Sequence, residues 1–264
     1  MVSDNPAVFA NRFILLGASN LTLSLRLVIH RLQQRFGGPS EVLAVVGHGR
    51  AYGLTSQALG RGLSGITGSG VWHQLDRLPM RPTYALLTDI GNDIVYGSTP
   101  QQVLQSVAWS VTQLQRHGAQ VVVTNLPLTA IEHLTERRYL FYRRLFYPSS
   151  CLSQDEVLSC VQAVHRGLGE LALRQDFRLY EQHPQWFGAD GIHVRYWRRS
   201  QFYQDIVTPF SRSNSLSIQP TGYQNGIQPW LQRAQFAHKT LLGREMRCEQ
   251  PSGKLADGSI VFKY

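Results

Sequence analysis

The sequence has few cysteines, and their positions do not pair them. Three occur among the 264 residues, Cys151, Cys160 and Cys248. An odd number of cysteines without Cys-x-x-Cys spacing favours neither a disulfide framework nor a zinc site built from thiolates. We therefore expect the protein to work in the reducing cytoplasm.

Long apolar runs and a targeting segment are missing as well. A membrane-spanning helix needs about 20 consecutive apolar residues, and no segment reaches that length. Residues 1–6 lack the basic start and apolar core of a secretory signal peptide. With 43% hydrophobic and 16% charged residues, the composition is typical of a soluble globular protein. A chain of this length is sufficient for one α/β domain with an appendage.

Acidic residues are scarce relative to basic ones. The 17 Asp and Glu residues are outnumbered by 26 Lys and Arg residues, the formal net charge is +9, and arginine pairs occur at 137–138, 143–144 and 198–199. Such an excess favours acidic substrates, polyanions or anionic membrane surfaces. No motif of an RNA-binding module is present. Two interpretations stay open: an arginine-rich face that binds an anionic surface or polymer, and a solvated basic face without a dedicated partner.

Short β-prone runs alternate with helical segments along the first 210 residues. Thr99 and Ser153 each begin a capping box, which predicts the starts of two helices. Strands that alternate with helices favour a parallel sheet covered on both faces. We therefore predict a three-layer, flavodoxin-like α/β sandwich with a central parallel sheet of about five strands. The predicted strands are 13–16, 42–46, 84–87, 121–125 and 177–180, and the predicted helices are 21–36, 51–63, 100–117 and 154–174.

Three side chains supply the parts of an acyl-transfer site. A serine hydroxyl is a poor nucleophile until a base takes its proton, and a carboxylate must hold that base in the right tautomer. Ser19, His193 and Asp190 can fill these roles. Of the nine histidines, only His193 has a carboxylate three positions earlier in a glycine-containing loop. We therefore expect Asp190 to accept a hydrogen bond from Nδ1 of His193 while Nε2 faces Ser19.

The oxyanion of a tetrahedral intermediate needs hydrogen-bond donors, which backbone N–H groups at tight turns and a side-chain amide can provide. The N–H groups of Ser19 and Gly49 and the amide of Asn92 fit this need. Each of these residues follows a predicted strand, and Asp190 lies in the loop after the last one. Because such loops meet at the carboxyl ends of parallel strands, the order along the chain predicts one common site.

Four short stretches in this order resemble the sequence blocks of the SGNH hydrolase superfamily, also called GDSL esterases and lipases. The resemblance covers residues 12–210. It implies that Ser19 attacks a carboxylic ester or thioester and forms an acyl-enzyme, without a cofactor or a metal. One departure is visible, because the family usually has Gly-Asp-Ser and this chain has Ala18 before the serine. The stretches are Gly17-Ala18-Ser19, Gly47-His48-Gly49-Arg50, Ile90-Gly91-Asn92-Asp93 and Asp190-Gly191-Ile192-His193.

The end of the chain lies outside this resemblance. Residues 211–228 are rich in Ser, Asn, Gln and Gly without a clear period, which predicts a linker or a surface loop. A helix is expected over 229–242, followed by a hairpin over 254–262 that turns at its Asp-Gly pair. We therefore divide the chain into an SGNH hydrolase-like catalytic domain, 1–210, and a linker with a C-terminal extension, 211–264. Covering the active site, structural packing and contact with a partner are open roles for the extension.

Each candidate residue also has a structural interpretation. Ser19 could cap the helix that follows it, and Asp190 could belong to an ordinary Asp-Gly turn. Asn92 could be a loop residue that tolerates unusual dihedral angles. Gly47 competes with Gly49 for the second stretch, and Gly49 is the better match to the family block.

Other functions compete with ester hydrolysis. A relative of these enzymes that has lost efficient catalysis could bind an anionic polymer or partner through its arginines, and an acyltransferase could use the same triad. A metal site is a further interpretation, although no dense ligand motif supports it. Its ligands would be Asp89, Asp93, Asp190 and His193.

Overall fold

The computed structural model describes residues 9–58, 61–148, 150–211, 238–241, 244–247 and 250–264. The strands are β1 (Asn11–Leu16), β2 (Ser40–Val45), β3 (Ser56–Ala58), β4 (Arg61–Leu63), β5 (Thr83–Leu87), β6 (Ala119–Thr124), β7 (Arg178–Tyr180), β8 (His238–Leu241), β9 (Arg244–Arg247), β10 (Gly253–Lys254) and β11 (Ile260–Lys263). The helices are α1 (Ser19–Phe36), α2 (Val71–Leu75), α3 (Asn92–Val95), α4 (Pro100–Arg116), α5 (Leu128–Glu132), α6 (Glu136–Phe146), α7 (Gln154–Gln175) and α8 (Arg199–Ile206). Single 3₁₀ turns lie at Pro184–Trp186 and Tyr196–Arg198.

Within these residues, seven strands form a central sheet in the order β10-β11-β2-β1-β5-β6-β7. All neighbours pair in parallel except β10, which pairs antiparallel with β11 at one edge. Every residue of β1, β2 and β5 is buried. Such continuous burial is expected of parallel strands that are covered on both faces.

Helices cover both faces of this sheet. Side chains alternate along a strand, so Ile14 and Leu16 of β1 pack into a core with α4 and α7, whereas Phe13 and Leu15 pack into a second core with α1 and α8. The predicted three-layer α/β sandwich is therefore confirmed. The strand number differs, because β11 adds a sixth parallel strand to the five that were predicted.

The helix predicted over 51–63 is wrong. In the described part of that range, β3 and β4 pair antiparallel and join β8 and β9 in a second, four-stranded sheet. The N–H groups of Tyr52 and Gly53 donate to the carboxylate of Asp93, at 2.7 and 2.8 Å. Tertiary contacts with this distant carboxylate and with β8 override the local helical pattern.

The C-terminal segment contributes to both sheets. The predicted helix over 229–242 is wrong at its end, because β8 lies there, and residues 229–237 are outside the described residues, as is the predicted linker after Ser211. The predicted hairpin is confirmed, with Gly258 in the left-handed region at φ 86°. Its second strand, β11, lies beside β2 in the central sheet. The described strands of the C-terminal segment are therefore integral parts of the two sheets. The domain boundary at residue 210 stays a prediction.

Candidate active site

The loops after the parallel strands position the candidate residues. Ser19 is the first residue of α1, three residues after the end of β1, and Asn92 is the first residue of α3, after β5. Gly49 follows β2, and Asp190 and His193 follow β7. These loops lie at the carboxyl ends of their strands, where open α/β sheets form their binding sites.

The structure brings the side chains of Ser19, His193 and Asp190 into one hydrogen-bonded chain. The Ser19 hydroxyl lies 2.9 Å from Nε2 of His193, and Nδ1 of His193 lies 2.6 Å from Oδ2 of Asp190. The carboxylate fixes the imidazole tautomer by accepting the Nδ1 proton, so the Nε2 lone pair points at the serine. Ala18 is the N-cap of α1, and among the described residues the Ser19 hydroxyl bonds to His193 and to no backbone N–H group, so its alternative role as a helix cap is not realised.

The loop between Asp190 and His193 is tight. The Oδ1 atom of Asp190 accepts the backbone N–H groups of Ile192 and His193, at 3.1 and 3.0 Å. Gly191 adopts φ 72°, and a Cβ there would approach the carbonyl oxygen of Ala130 to 3.0 Å. Glycine at this position therefore allows the carboxylate to fold back onto the histidine.

The environment of Asp190 keeps its carboxyl group ionised. Burial would raise its pKa, but hydrogen bonds from the side chain and backbone of His193, the charge of His193 and the N–H of Ile192 together lower the pKa below the ordinary value. A carboxylate that stays charged can stabilise an imidazolium beside it.

The amide of Asn92 is held in one orientation. Its Nδ2 donates to the carbonyl of Arg50 at 2.9 Å, and its Oδ1 accepts the hydroxyl of Tyr147. Burial raises the pKa of Tyr147, so the phenol keeps the proton that it donates. A side-chain amide has two N–H donors, and one of them remains available.

Two backbone donors are also available on this side. Within the described residues, the N–H groups of Ser19 and Gly49 donate no hydrogen bond. Gly49 adopts φ 68°, and its carbonyl accepts the hydroxyl of Tyr96 at 2.9 Å. Ser19, Asn92 and Asp190 line a common cavity, whereas Gly49 and His193 are not among the residues that line it.

A carboxylate from a different loop reaches the turn in which Ala18 replaces the usual aspartate. The Oδ2 atom of Asp89 accepts the N–H groups of Ala18 and Leu21, at 2.9 and 3.3 Å, and its Oδ1 accepts the amide of Asn20 at 2.9 Å. Asp89 has φ 59°, a conformation that a non-glycine residue adopts at a cost. The serine turn is thus stabilised by the end of β5.

Asn20 connects this turn to the histidine loop. Its Nδ2 also donates to the carbonyl of Ile192 at 2.9 Å, and its Oδ1 accepts the N–H of Val194 at 2.9 Å. Asn20 therefore bonds to both residues next to His193 and lies next to Ser19 in the chain. The sequence offered one signal for this network, Asp89 directly before the third stretch, which we interpreted only as a possible metal ligand.

The four residues of the metal interpretation do not form a metal site. Asp93 binds backbone N–H groups, Asp89 binds the serine turn, and Asp190 binds His193. In the described part of the chain, no group of three or more His, Cys, Asp or Glu side chains is placed to hold a metal ion.

An apolar cavity of about 130 Å³ adjoins Ser19. The helix α6, which was not predicted from the sequence, contributes four of its lining residues, Tyr139, Tyr142, Arg143 and Phe146. Phe146 of α6 also packs against the imidazole of His193, with ring centroids 5.2 Å apart. The apolar and aromatic side chains around the cavity include Ile131, Leu134, Tyr139, Tyr142, Phe146, Val157 and Val161.

Comparisons with known proteins find similarity in structure. No protein-family model and no curated protein matches the chain. An aryl esterase of M. smegmatis, in its inhibitor-bound form, is 15% identical, covers 74% of this chain and 96% of its own, and gives a TM-score of 0.51. A member of the lipolytic protein G-D-S-L family from Veillonella parvula is 12% identical, covers 75% and 96%, and gives 0.47. At these identities the similarity shows the fold alone, and this fold is SGNH hydrolase-like.

No described helix is both long enough and apolar enough to cross a lipid bilayer.

Proposed function

We propose that this protein is a serine hydrolase that cleaves carboxylic esters or thioesters. The observation that carries the proposal is the hydrogen-bonded chain from Ser19 through His193 to Asp190, with distances of 2.9 and 2.6 Å, beside an apolar cavity. The aryl esterase of similar fold supports the same class of reaction.

The reaction proceeds in two halves. His193 takes the Ser19 proton as Oγ bonds to the acyl carbon, and Asp190 stabilises the resulting imidazolium. The tetrahedral intermediate then collapses, and the leaving alcohol or thiol takes the proton from His193. Water, deprotonated by the same imidazole, attacks the acyl-enzyme, and the bond from Oγ to the acyl carbon breaks as Oγ takes the proton from His193 and the acid is released.

Three donors stabilise the oxyanion in this proposal: the N–H groups of Ser19 and Gly49 and the remaining N–H of the Asn92 amide. Such donors act strongly because they are oriented before the reaction begins. The contacts that orient Asn92, from Arg50 and Tyr147, are therefore part of the machinery.

The cavity beside Ser19 receives the acyl group. Its lining is mostly apolar, and each methylene that leaves water for such surroundings contributes about 0.8 kcal/mol, or about fourfold in binding. We therefore expect kcat/KM for p-nitrophenyl esters to rise about fourfold per added methylene from acetate upward, until the chain fills the cavity.

Covalent labelling tests the assignment of the nucleophile. A fluorophosphonate probe should label the protein stoichiometrically, and peptide mapping should place the label on Ser19. Heat-denatured protein is the control and should remain unlabelled. A native protein that neither reacts with the probe nor hydrolyses any ester of the series would contradict the proposal.

The hydroxyl of Tyr147 should matter through Asn92. In Tyr147→Phe the amide loses the bond that holds its oxygen, so we expect kcat to fall about tenfold, the equivalent of one hydrogen bond. Asn92→Ala, which removes a donor, should cost on the order of 10² to 10³ in kcat. The control is Tyr84→Phe, because the Tyr84 hydroxyl forms no hydrogen bond in the described structure. Combining Tyr147→Phe with Asn92→Ala should add no further loss, and an additive loss would contradict the coupling.

A further inference from the structure

The helix α6 has two different faces. Its inner face contributes to the wall of the cavity and contacts His193 through Phe146. On the outer face, Phe141 is 61% exposed and Leu145 is 52% exposed. Three exposed arginines share this face, because residues spaced by three, four or seven positions align along a helix. They are Arg137, Arg138 and Arg144.

None of these three guanidinium groups forms an ion pair with an acidic side chain within the described residues. The outer face therefore combines uncompensated positive charge with large apolar side chains in water. A helix face that is only solvated would carry charged side chains without large apolar ones. A helix face that packs into a protein core would carry apolar side chains without unpaired charges.

A second cluster of the same character lies immediately after His193. Tyr196 is 79% exposed and Trp197 is 74% exposed, and the arginines on either side, Arg195 and Arg198, are exposed too. The helix that carries the first cluster on its outer face contacts the ring of His193 through Phe146 on its inner face, and the second cluster begins two residues after His193 in the chain.

We propose that these two clusters form a docking surface for an anionic lipid bilayer. The docking surface is defined as the outer face of α6 together with residues 195–198. Arginines near an anionic leaflet are attracted to it, and Trp, Tyr, Phe and Leu side chains insert at the level of the headgroups. This combination of charge and apolar groups matches a lipid surface.

The inner face of α6 explains why a lipid surface fits better than another polyanion. The same helix that carries the arginines also contributes four residues to the lining of the apolar cavity beside Ser19. A chain that leaves the bilayer next to α6 would have a short path to that cavity. This inference rests on the proposed ester hydrolysis for its purpose, but docking itself is measured without catalysis.

Vesicle binding by the full-length Ser19→Ala variant tests the docking. We expect sedimentation with vesicles of equal parts phosphatidylcholine and phosphatidylglycerol, and not with vesicles of phosphatidylcholine alone. Salt should weaken the binding, because it screens charges that are exposed to water. Absence of binding to the anionic vesicles would overturn the proposal, as would binding to a nucleic acid duplex that outcompetes them.

A pair of triple variants separates a docking surface from general charge. Each arginine near an anionic surface contributes about fivefold to partitioning, so replacing Arg137, Arg138 and Arg144 by Gln should weaken vesicle binding on the order of 100-fold. The control replaces three exposed arginines that precede β5, β6 and β7, at the opposite edge of the sheet, and removes the same charge. These are Arg77, Arg116 and Arg174. Equal loss in both variants would overturn the proposal.

The apolar part of the docking surface has its own matched pair. Phe141→Ser with Leu145→Ser should weaken vesicle binding at least tenfold, because each methylene that no longer inserts weakens partitioning about fourfold. Leu173→Ser, at an 88% exposed position near the end of α7, should leave binding unchanged. The same Phe141→Ser, Leu145→Ser double variant, made in the protein that retains Ser19, should hydrolyse a water-soluble ester at the normal rate. If the protein with Ser19 binds anionic vesicles but hydrolyses no ester, the proposed esterase activity is refuted and the docking proposal stands. If it hydrolyses esters but does not bind these vesicles, only the docking proposal is refuted.

Discussion

Ser19→Ala should abolish ester hydrolysis and lower kcat roughly 10⁶-fold, the loss seen when a triad nucleophile is removed. The reason is geometric. The hydroxyl of Ser19 is the one oxygen within hydrogen-bond distance of Nε2 of His193 in the described structure, so without it the base has no nucleophile to deprotonate. The measurement is single-turnover and steady-state hydrolysis of a p-nitrophenyl ester.

The fold should survive this substitution, because the Ser19 hydroxyl bonds to no backbone group in the described structure. Ser153→Ala should have the opposite effect, a loss of stability without a loss of activity. Ser153 caps α7 within a complete capping box, so its loss should cost about 1 kcal/mol of unfolding free energy and leave kcat unchanged. Full activity in Ser19→Ala would show that Ser19 is not the nucleophile. Loss of activity in Ser153→Ala would show that a loss of stability alone is sufficient to abolish hydrolysis.

Local signals predicted the central strands and the long helices. The capping boxes at Thr99 and Ser153 begin α4 and α7, as expected, since both partners of each box lie within three residues. The helix predicted over 51–63 failed because its described residues form β3 and β4, and β4 pairs with β8, a segment about 180 positions away in the chain. The place of β11 beside β2 was also unpredictable, since strand pairing is decided between segments that are distant in the chain.

The candidate site shows the same difference between local contacts, which the sequence predicts, and contacts between distant segments, which it does not. The bond between Asp190 and His193 was predictable because a three-residue spacing with glycine lets a short loop close on itself. The bonds of Asp89 to the serine turn and of Tyr147 to Asn92 were not, because each joins side chains that only the tertiary fold brings together. Ala18 offers no carboxylate to the serine turn, and the carboxylate of the distant Asp89 accepts the N–H groups of this turn.

The second large effect on kcat is expected for Asp190→Asn, which removes the carboxylate beside His193. In Asp190→Asn, Oδ1 still accepts the N–H groups of Ile192 and His193, so the loop should keep its shape. The amide nitrogen, however, takes the place of Oδ2 and donates to Nδ1, which leaves the proton on Nε2. The imidazole then has no lone pair for the Ser19 proton, and we expect kcat to fall about 10⁴-fold.

The pH dependence of stability provides an independent readout of the same substitution. The pKa of Asp190 is lowered in the folded protein, so its ionised form stabilises the fold above the pKa of an unfolded aspartate, about 4. This stabilisation is lost as pH falls through the folded value. Denaturant unfolding from pH 7 to below pH 4 should therefore show a smaller loss of unfolding free energy in Asp190→Asn than in the wild type.

Asp257→Asn is the matched control for Asp190→Asn. Asp257 also precedes a glycine, and its Oδ1 accepts the N–H of Ser259 at 3.0 Å, in the same turn geometry. No histidine follows it, so the substitution should keep kcat. If Asp190→Asn retained kcat, or if Asp257→Asn lost as much, the carboxylate at position 190 would be a turn residue and not the partner of the catalytic base.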